Sequence, residues 1–367
     1  MKKYIILLLA AALVLVPFSS LHGEEISLMD KYIEYDSVLS DLTENYNDLV
    51  DQREESIEFY ENYRINRRNL FNIAMSQAAK ENGLRNVDLA IDNALYDLKA
   101  REALLMIDFR KEYLSLMERK IDMDLANASE DDAGLLYNEA VAAHNNGYIS
   151  DIDFLSEKYS YQMFLNAYQR SKRTYASELR SFNLSLGYDI SKAAPVFSFD
   201  EDLIEVKELS EYLDSVMENS KELELLRQAI DRYETELYYL SKYHISENLS
   251  YYRDKRRSID LNLELSKLML EETEGELLVQ ITEKYNSLMI DREKLSLALL
   301  SNEILENDYN ISLALYRKGL ISSSELNDSK EALMSGNLEY TLMVYKYNTN
   351  VMSLEYDCSC FFTEDGE

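Results

Sequence analysis

Apolar residues recur at alternating spacings of four and three along much of this chain, which is typical of helices that pack against other helices. The first clear run consists of Tyr161, Leu165, Tyr168, Lys172, Tyr175, Leu179, Phe182 and Leu186. The second consists of Leu333, Asn337, Tyr340, Val344, Tyr347, Val351, Leu354 and Cys358. Only one proline, Pro195, follows residue 23. Because proline interrupts helices, the chain is predicted to be all-α with very long helices.

Two short breaks interrupt the helical pattern, at residues 145–150 (NNGYIS) and 317–322 (RKGLIS). Glycine and asparagine tolerate the left-handed backbone that ends a helix, and the serine can cap the helix that follows. A helix predicted from Val87 to Asn146 would measure roughly 90 Å at about 1.5 Å per residue. The helices around each break are expected to fold back as an antiparallel hairpin, with Gly147 and Gly319 at the two tips.

The two tips lie 172 residues apart, and other residues recur at the same interval. The recurring pairs include Tyr113 and Tyr285, Leu116 and Leu288, Met117 and Met289, Tyr168 and Tyr340, and Tyr175 and Tyr347. The sequence therefore indicates a tandem duplication. We expect a first helical-hairpin repeat at residues 24–187, a linker with a short strand-like alternation (196–199) at 188–205, a second repeat at 206–358 and a tail at 359–367.

Residues 1–23 are typical of a secretory signal peptide, with Lys2 and Lys3 ahead of an apolar core and a cleavage site after Gly23. A retained N-terminal anchor is the alternative. The net charge of −30 disfavours nucleic acid as a partner, because its phosphates would be repelled. The chain is therefore expected to be exported and to act in the cell envelope.

Residues suited to catalysis or metal binding are scarce. His144 and His244 have no cysteine or acidic partners at ligand spacing, and we find neither a phosphate-binding loop nor a nucleophile elbow. We expect no enzyme activity, no cofactor and no metal. His144 is expected to pack within its hairpin, with pH sensing as the alternative. Cys358 and Cys360 are too close for an unstrained mutual disulfide, which leaves interchain pairing or a tail without a role.

At both tips a helix ends at a glycine, a turn follows, and an acidic residue, Asp153 or Glu325, stands six positions after the glycine. Duplicated hairpins with such tips, behind a signal peptide, resemble the TolC-type outer-membrane efflux proteins across nearly the whole mature chain. The resemblance implies a homotrimer whose helices form a hollow periplasmic cylinder. It also implies docking, tip first, onto a periplasmic adaptor (membrane fusion) protein and an inner-membrane transporter, as a channel for efflux or type I secretion.

The resemblance assigns roles to residues at the tips. Glu325 and Asp328 correspond to acidic residues that ring the tunnel mouth, although both could be first-turn acids favoured by the helix dipole. Tyr316 and Asp153 correspond to a pair that makes a closing contact, and the arginine common two positions after the second glycine is Ile321 here. The turn residues at which an adaptor would grip are Gly147, Tyr148, Gly319 and Leu320.

One family feature fits this chain poorly. The family inserts a pair of transmembrane strands in each repeat, which here would fall between Tyr60 and Val87 and between Tyr233 and Ile259. These segments have barely enough room for two strands of about 9–11 residues with a turn, and the first lacks the alternation of lipid-facing strands. We predict a reduced or missing barrel, with helical hairpin turns in its place.

Both of these segments are basic in an otherwise acidic chain. By the repeat they lie at the same end, opposite the tips, and tyrosines accompany the second segment. Basic residues and tyrosine suit anionic headgroups at a membrane interface. This end is therefore predicted to abut the outer membrane, with ordinary solvated helix ends as the alternative. The basic residues are Arg64, Arg67, Arg68, Arg253, Lys255, Arg256 and Arg257.

The leading interpretation is thus a trimeric TolC-like channel component that transports a solute without transforming it. One alternative is a non-conducting coiled-coil scaffold of the cell envelope with the same fold, and another is an adaptor-like hairpin protein. The adaptor is disfavoured because the chain has two hairpins and almost no strand pattern. A hollow closed ring of subunits would favour the channel, whereas a solid bundle or a monomer would favour the scaffold.

Overall fold

The computed structural model describes residues 32–33, 36–188, 203–243 and 250–360. Within these ranges no strand occurs, and the all-α prediction is confirmed. No helix there combines the length and the apolar character that crossing a membrane requires. The predicted signal peptide and the strand-like alternation at 196–199 lie outside the described residues. The helices are α1 Ser37–Asp51, α2 Arg53–Glu61, α3 Leu70–Asn145, α4 Asp151–Ser185, α5 Leu209–Asn219, α6 Lys221–Lys242, α7 Ser250–Arg317 and α8 Ser323–Asp357.

The first long helix begins earlier than its apolar pattern indicates. α3 starts at Leu70 rather than Val87 and runs for 76 residues. The segment between Tyr60 and Val87 is therefore the end of α2, a connection at residues 62–69 and the start of α3, as the prediction of a helical turn requires. In the second repeat α6 and α7 flank the corresponding position, and residues 244–249 between them lie outside the described ranges.

The chain divides into two compact units, and each unit contains parts of both predicted repeats. Of the described residues, unit 1 holds 32–33, 106–188, 203 and 291–349, and unit 2 holds 36–105, 204–243, 250–290 and 350–360. Both tips belong to unit 1. The units group segments that are distant in sequence, so the boundaries of the tandem repeats remain a prediction from the sequence.

The two predicted seams face inward. In unit 1, Phe182 of α4 and Leu186, which directly follows this helix, join a buried cluster with Phe109, Tyr113 and Leu116 of α3. The last five residues of the second seam, on α8 and directly after it, are buried: Val344, Tyr347, Val351, Leu354 and Cys358. Lys172 is the exception, because it is exposed and its ammonium lies 5.5 Å from the ring centroid of Tyr168. The heptad pattern therefore identified the packed face of both helices.

The two hairpins of unit 1 lie side by side with their tips at the same end. Lys346 of α8 forms an ion pair with Glu118 of α3. Nearer the tips, burial raises the pKa of Glu331 on α8, and the negative charge of Asp132 on α3 raises it further, which places the two residues near each other. Glu118 and Lys346 stand at nearly equal separations from their tip glycines, and so do Asp132 and Glu331. Both bends therefore point the same way, as the duplication predicts.

In unit 2 a hydrophobic core forms where the first turns of α3 and α7 pack against α6. Ala74, Leu240, Tyr252 and Ile259 form one buried cluster. Tyr60 of α2 covers Gly83 of α3 so closely that a Cβ at Gly83 would clash with the tyrosine ring. α2 thus folds back on α3 across the connection at residues 62–69, and α6 and α7 pack against the same stretch of α3.

The tip glycines allow the stability effect of left-handed backbone to be separated from steric crowding by an added side chain. Gly147 and Gly319 have φ of 74° and 69°, and no atom lies within 4 Å of a Cβ built on either. Replacing Gly319 by Ala is expected to lower the free energy of unfolding by about 1 kcal/mol, because a side chain disfavours left-handed backbone. Chemical denaturation measures the change.

Gly275 is the matched control for this substitution. It lies inside α7, its φ is not positive, and the space that a Cβ would occupy there is open as well. Gly275→Ala is expected to raise the free energy of unfolding by roughly 0.5–1 kcal/mol, since alanine is the better helix former. Equal effects of the two substitutions would contradict the role assigned to the tip backbone.

Candidate functional site

The two hairpin tips share one backbone arrangement. At the first tip, Gly147 N–H donates to the carbonyl of His144 (2.9 Å) and Tyr148 N–H donates to that of Ala143 (2.8 Å). At the second, Gly319 N–H donates to Tyr316 (2.8 Å) and Leu320 N–H to Leu315 (3.0 Å). This is the Schellman motif, in which a glycine with positive φ satisfies the last carbonyl groups of a helix. Helices α3 and α7 therefore end in the same way.

The helices that leave the tips begin with matching caps. The Ser150 hydroxyl accepts from Asp153 N–H (3.2 Å), and its own N–H donates to the Asp153 carboxylate (3.3 Å). At the second tip, Ser322 N–H donates to the Glu325 carboxylate (2.8 Å) and the Ser322 hydroxyl accepts from Glu325 N–H (3.2 Å). Both are capping boxes. Asp153 and Glu325 thus hold the turns together through hydrogen bonds, whereas the alternative that the sequence offered for Glu325 was a first-turn acid favoured by the helix dipole.

The caps also keep both acids ionised. The hydroxyl and the N–H of Ser150 hold the pKa of Asp153 below its usual range. Hydrogen bonds from the N–H and the hydroxyl of Ser322 do the same for the pKa of Glu325. Hydrogen bonds donated to a carboxylate favour its charged form. The tips therefore carry fixed negative charge over the whole neutral pH range.

The structure adds acidic residues that sequence reasoning missed. Asp328 is exposed on α8, as is Glu325 one turn before it. Glu331 follows Asp328 at the same spacing of three residues. Burial is the main cause that raises the pKa of Glu331, and the negative charges of Asp132 on α3 and of Asp328 raise this pKa further. The spacing of 325, 328 and 331 was visible in the sequence, but the approach of Asp132 depends on the packing of α3 against α8.

The remaining predicted tip residues are exposed. Tyr148 and Leu320 expose 81% and 67% of their surface, so apolar groups stand free at the outermost point of each turn. Tyr316 is also exposed. Among the described residues of this chain it makes no hydrogen bond to Asp153, whose carboxylate bonds to Ser150 instead. The structure therefore does not bring the predicted closing pair together within one subunit.

Aromatic rings join the two helices of the first hairpin. The His144 ring stacks on Phe154 at 4.7 Å, Tyr137 stacks on Phe154 at 6.0 Å and Tyr137 stacks on Tyr161 at 5.3 Å. His144 Nε2 also lies 2.7 Å from a carboxylate oxygen of Asp151. These contacts agree with a packing role for His144. The other histidine of the prediction, His244, lies outside the described residues.

The predicted basic clusters both lie in unit 2. The rings of Phe71 and Tyr251, which stand close to the clusters in sequence, have centroids 5.0 Å apart. This contact places the two clusters at one end of unit 2, as the repeat predicts. The clusters consist of Arg64, Arg67 and Arg68 before α3, and of Arg253, Lys255, Arg256 and Arg257 in the first turns of α7.

Solved structures share this fold. The outer membrane channel MtrE of Neisseria gonorrhoeae, in its open state, has a TM-score of 0.61 and 10% identity, and the match covers 93% of this chain and 90% of that one. The CmeC outer membrane channel of Campylobacter jejuni gives 0.60 and 9%, covering 93% and 86%. The outer membrane protein VceC of Vibrio cholerae gives 0.54 and 10%, covering 92% and 96%. The resemblance read from the tips is thus confirmed for the fold.

Sequence comparison gives no match for this chain, whereas structural comparison gives several. Neither a protein-family profile nor a curated protein matches this sequence. At 9–10% identity to the solved channels, the shared feature is the arrangement of helices, whereas most residues at individual positions differ.

The capping boxes predict a pH response at the tips. Ser150→Ala removes the hydroxyl that holds the pKa of Asp153 low, so Asp153 should titrate at higher pH in the variant than in the parent. Because the folded-state pKa is lowered, the carboxylate stabilises the tip above its unfolded-state pKa, and this contribution is lost as pH falls through the folded-state value. NMR titration of labelled aspartate carboxyl carbons measures the shift.

Ser156→Ala is the control for this experiment, since Ser156 is also an exposed serine and lies on α4 outside the capping box. Ser156→Ala should leave the Asp153 titration where it is in the parent. A titration of Asp153 that does not move in Ser150→Ala would show that the capping box does not form in solution.

Proposed function

We propose that this chain is a TolC-like channel component of a tripartite efflux or type I secretion system. It would be exported, assemble as a homotrimer at the outer membrane or attached to it in the periplasm, and dock tip first on a periplasmic adaptor and an inner-membrane transporter. The fold shared with the solved outer membrane channels supports this role. So does the matched pair of tips, which present two similar surfaces at one end of unit 1.

One observation carries the proposal: α7 has an apolar row that nothing in the described part of the chain covers. The row repeats every seven residues, and its side chains are between 53% and 67% exposed. It consists of Ile290, Leu297, Ile304 and Ile311. A heptad row of this kind requires a helix to pack against. A second copy of the chain can supply that helix.

A second exposed apolar row lies on a helix of the other hairpin. It follows the first tip on α4 and consists of Ile152, Leu155, Tyr159 and Met163. Two different rows on one subunit suit head-to-tail contacts, in which one row meets the other row of the next subunit. Contacts of this type form a ring when the rotation between neighbouring subunits closes, and a trimer would be such a closed ring. A ring of long helices encloses a lumen, which is the difference between a channel and a solid scaffold.

In such a ring, the three-fold symmetry would bring the acidic residues of the three tips together. Three copies of Glu325 and Asp328 would converge on the tunnel mouth, where fixed carboxylates attract cations and repel anions. Tyr316 and Asp153, which are apart within one subunit, would then meet between neighbours to close the mouth. The exposed turns with Gly147, Tyr148, Gly319 and Leu320 would be gripped by the adaptor.

The trimer rests on the uncovered row of α7. Leu297→Glu together with Ile304→Glu should convert trimer to monomer, because two charges per subunit would have to be buried in an apolar contact. Helix content should be retained, since both side chains are exposed within the chain. Sedimentation and circular dichroism measure the two quantities.

Ser296→Glu together with Asn310→Glu is the matched control. Both positions are exposed on α7 and lie off the apolar row, and the change in charge is the same. The control variant should remain trimeric. Loss of the trimer in both variants would point to net charge instead of the row, and a trimer that survives in the first variant would contradict the proposed interface.

The acid ring is tested by calorimetric titration of the protein with a trivalent cation, cobalt hexammine. Glu325→Gln with Asp328→Asn should weaken the binding of this cation about tenfold or more, because each subunit loses two negative charges at the ring. Glutamine can keep the capping box, so the tip should stay folded. The control is Glu293→Gln with Glu303→Gln, two exposed acids of α7 farther from the tip, which should bind the cation as the parent does. Equal binding by all three proteins would refute the ring.

A further inference from the structure

We propose that the basic aromatic end of unit 2 is a docking surface for an anionic phospholipid bilayer, held at the headgroups. This surface is formed by residues 59–72 and 250–258 together with Tyr238. It goes beyond the proposed channel function, which is carried by the tips and by the apolar rows of α4 and α7.

The charge of this surface is opposite to that of the chain. The two segments contain seven basic residues and two acidic ones, in a protein whose net charge is −30. The contact of Phe71 with Tyr251 and the burial of Ala74 with Tyr252 and Ile259 bring both segments together. Charges farther away than the Debye length, about 8 Å at physiological salt, are largely screened. An anionic surface that approaches this end would therefore be attracted to it.

Five of the seven basic side chains are not engaged in ion pairs with other described residues. In the described ranges Lys255 pairs with Glu236 (2.9 Å), and Arg256 contacts the Tyr252 hydroxyl (3.2 Å) and Asp260 (3.8 Å). The other five are exposed, and no ion pair to another described residue is formed by Arg64, Arg67, Arg68, Arg253 or Arg257. Their guanidinium groups are free to bind phosphate oxygens, for which arginine geometry is well suited.

The connection that carries three of these arginines is held in place. Lys80 Nζ donates to the carbonyl of Glu61 (2.5 Å). Asn66 N–H donates to the Ser76 hydroxyl (3.2 Å), and Arg68 N–H donates to the Asn66 side-chain oxygen (3.2 Å). The turn at residues 62–69 is thereby tied to the first turns of α3. Little backbone order has to be gained on binding, which favours affinity.

Exposed aromatic rings lie in the two segments that carry the arginines and on α6. Phe59, Tyr238 and Tyr251 expose 63%, 56% and 44% of their surface, and Leu70 exposes half of its own. Tyrosine with its polar hydroxyl and apolar ring is enriched at the level of lipid headgroups. Exposed arginines in the same segments as exposed aromatic rings suit a layer of anionic headgroups, which takes up both kinds of side chain. Each free basic residue near an anionic bilayer adds roughly a fivefold gain in binding.

The test compares purified protein binding to two kinds of vesicle by co-sedimentation: phosphatidylcholine with phosphatidylglycerol, and phosphatidylcholine alone. The parent should bind the anionic vesicles far more tightly, and salt should weaken that binding. Arg67→Gln with Arg253→Gln and Arg257→Gln should bind about a hundredfold more weakly. The control is Arg170→Gln with Lys172→Gln and Arg173→Gln, three exposed basic residues of α4, which should bind as the parent does.

Three results would overturn the proposal: equal binding to both vesicle types, equal losses in the two triple variants, or no vesicle binding by the parent. In the last case, self-association that disappears in the Arg67 variant would identify a second copy of the chain as the partner of this surface. Sedimentation of the same variants without vesicles reports the trimer. A trimer that persists while vesicle binding fails would refute this surface and leave the proposed channel function standing.

Discussion

The rest of this structure depends on the way in which a very long helix reverses direction within a few residues. A helix end leaves carbonyl groups without partners, and the next helix begins with free N–H groups. At each tip the glycine with positive φ satisfies the carbonyls, and a serine three residues later opens a capping box for the N–H groups. The turn therefore satisfies these backbone groups with residues of its own.

The two hairpins share this backbone but differ in how their helices are joined. The first is held by stacked rings, among them Tyr137, Phe154 and Tyr161. In the second, Leu326 and Leu333 stand where the repeat places Phe154 and Tyr161. Its helices instead approach closely at Gly336, where a Cβ would lie 2.5 Å from a methyl group of Leu305. The two hairpins thus differ in side-chain packing, whereas the hydrogen bonds of their turns are the same.

Whether a feature could be predicted from the sequence depends on how far apart in the chain its interacting residues lie. The seams, the tips and their caps are local, so spacing and residue type predicted them. The start of α3 was missed because its first turns bury alanine at positions 74 and 78, and alanine adds little to an apolar pattern. Ser359, the counterpart of Gly187, adopts a φ of 56° and contacts the Tyr96 hydroxyl at 2.8 Å. Neither that contact nor the approach of Asp132 to Glu331 could be found without the tertiary structure.

The pattern on α7 links the sequence of one chain to an assembly of several. Ile281, Leu288 and Leu295 recur every seven residues and are buried within the chain, while Ile290, Leu297, Ile304 and Ile311 recur at the same interval and are exposed. A helix in a simple hairpin needs one apolar row, because it has one neighbour. A helix with two such rows needs a neighbour on each side, which is the situation of every helix in a closed ring. The second row is therefore the surface that the proposed subunit contacts would cover, since nothing in the described part of the chain covers it.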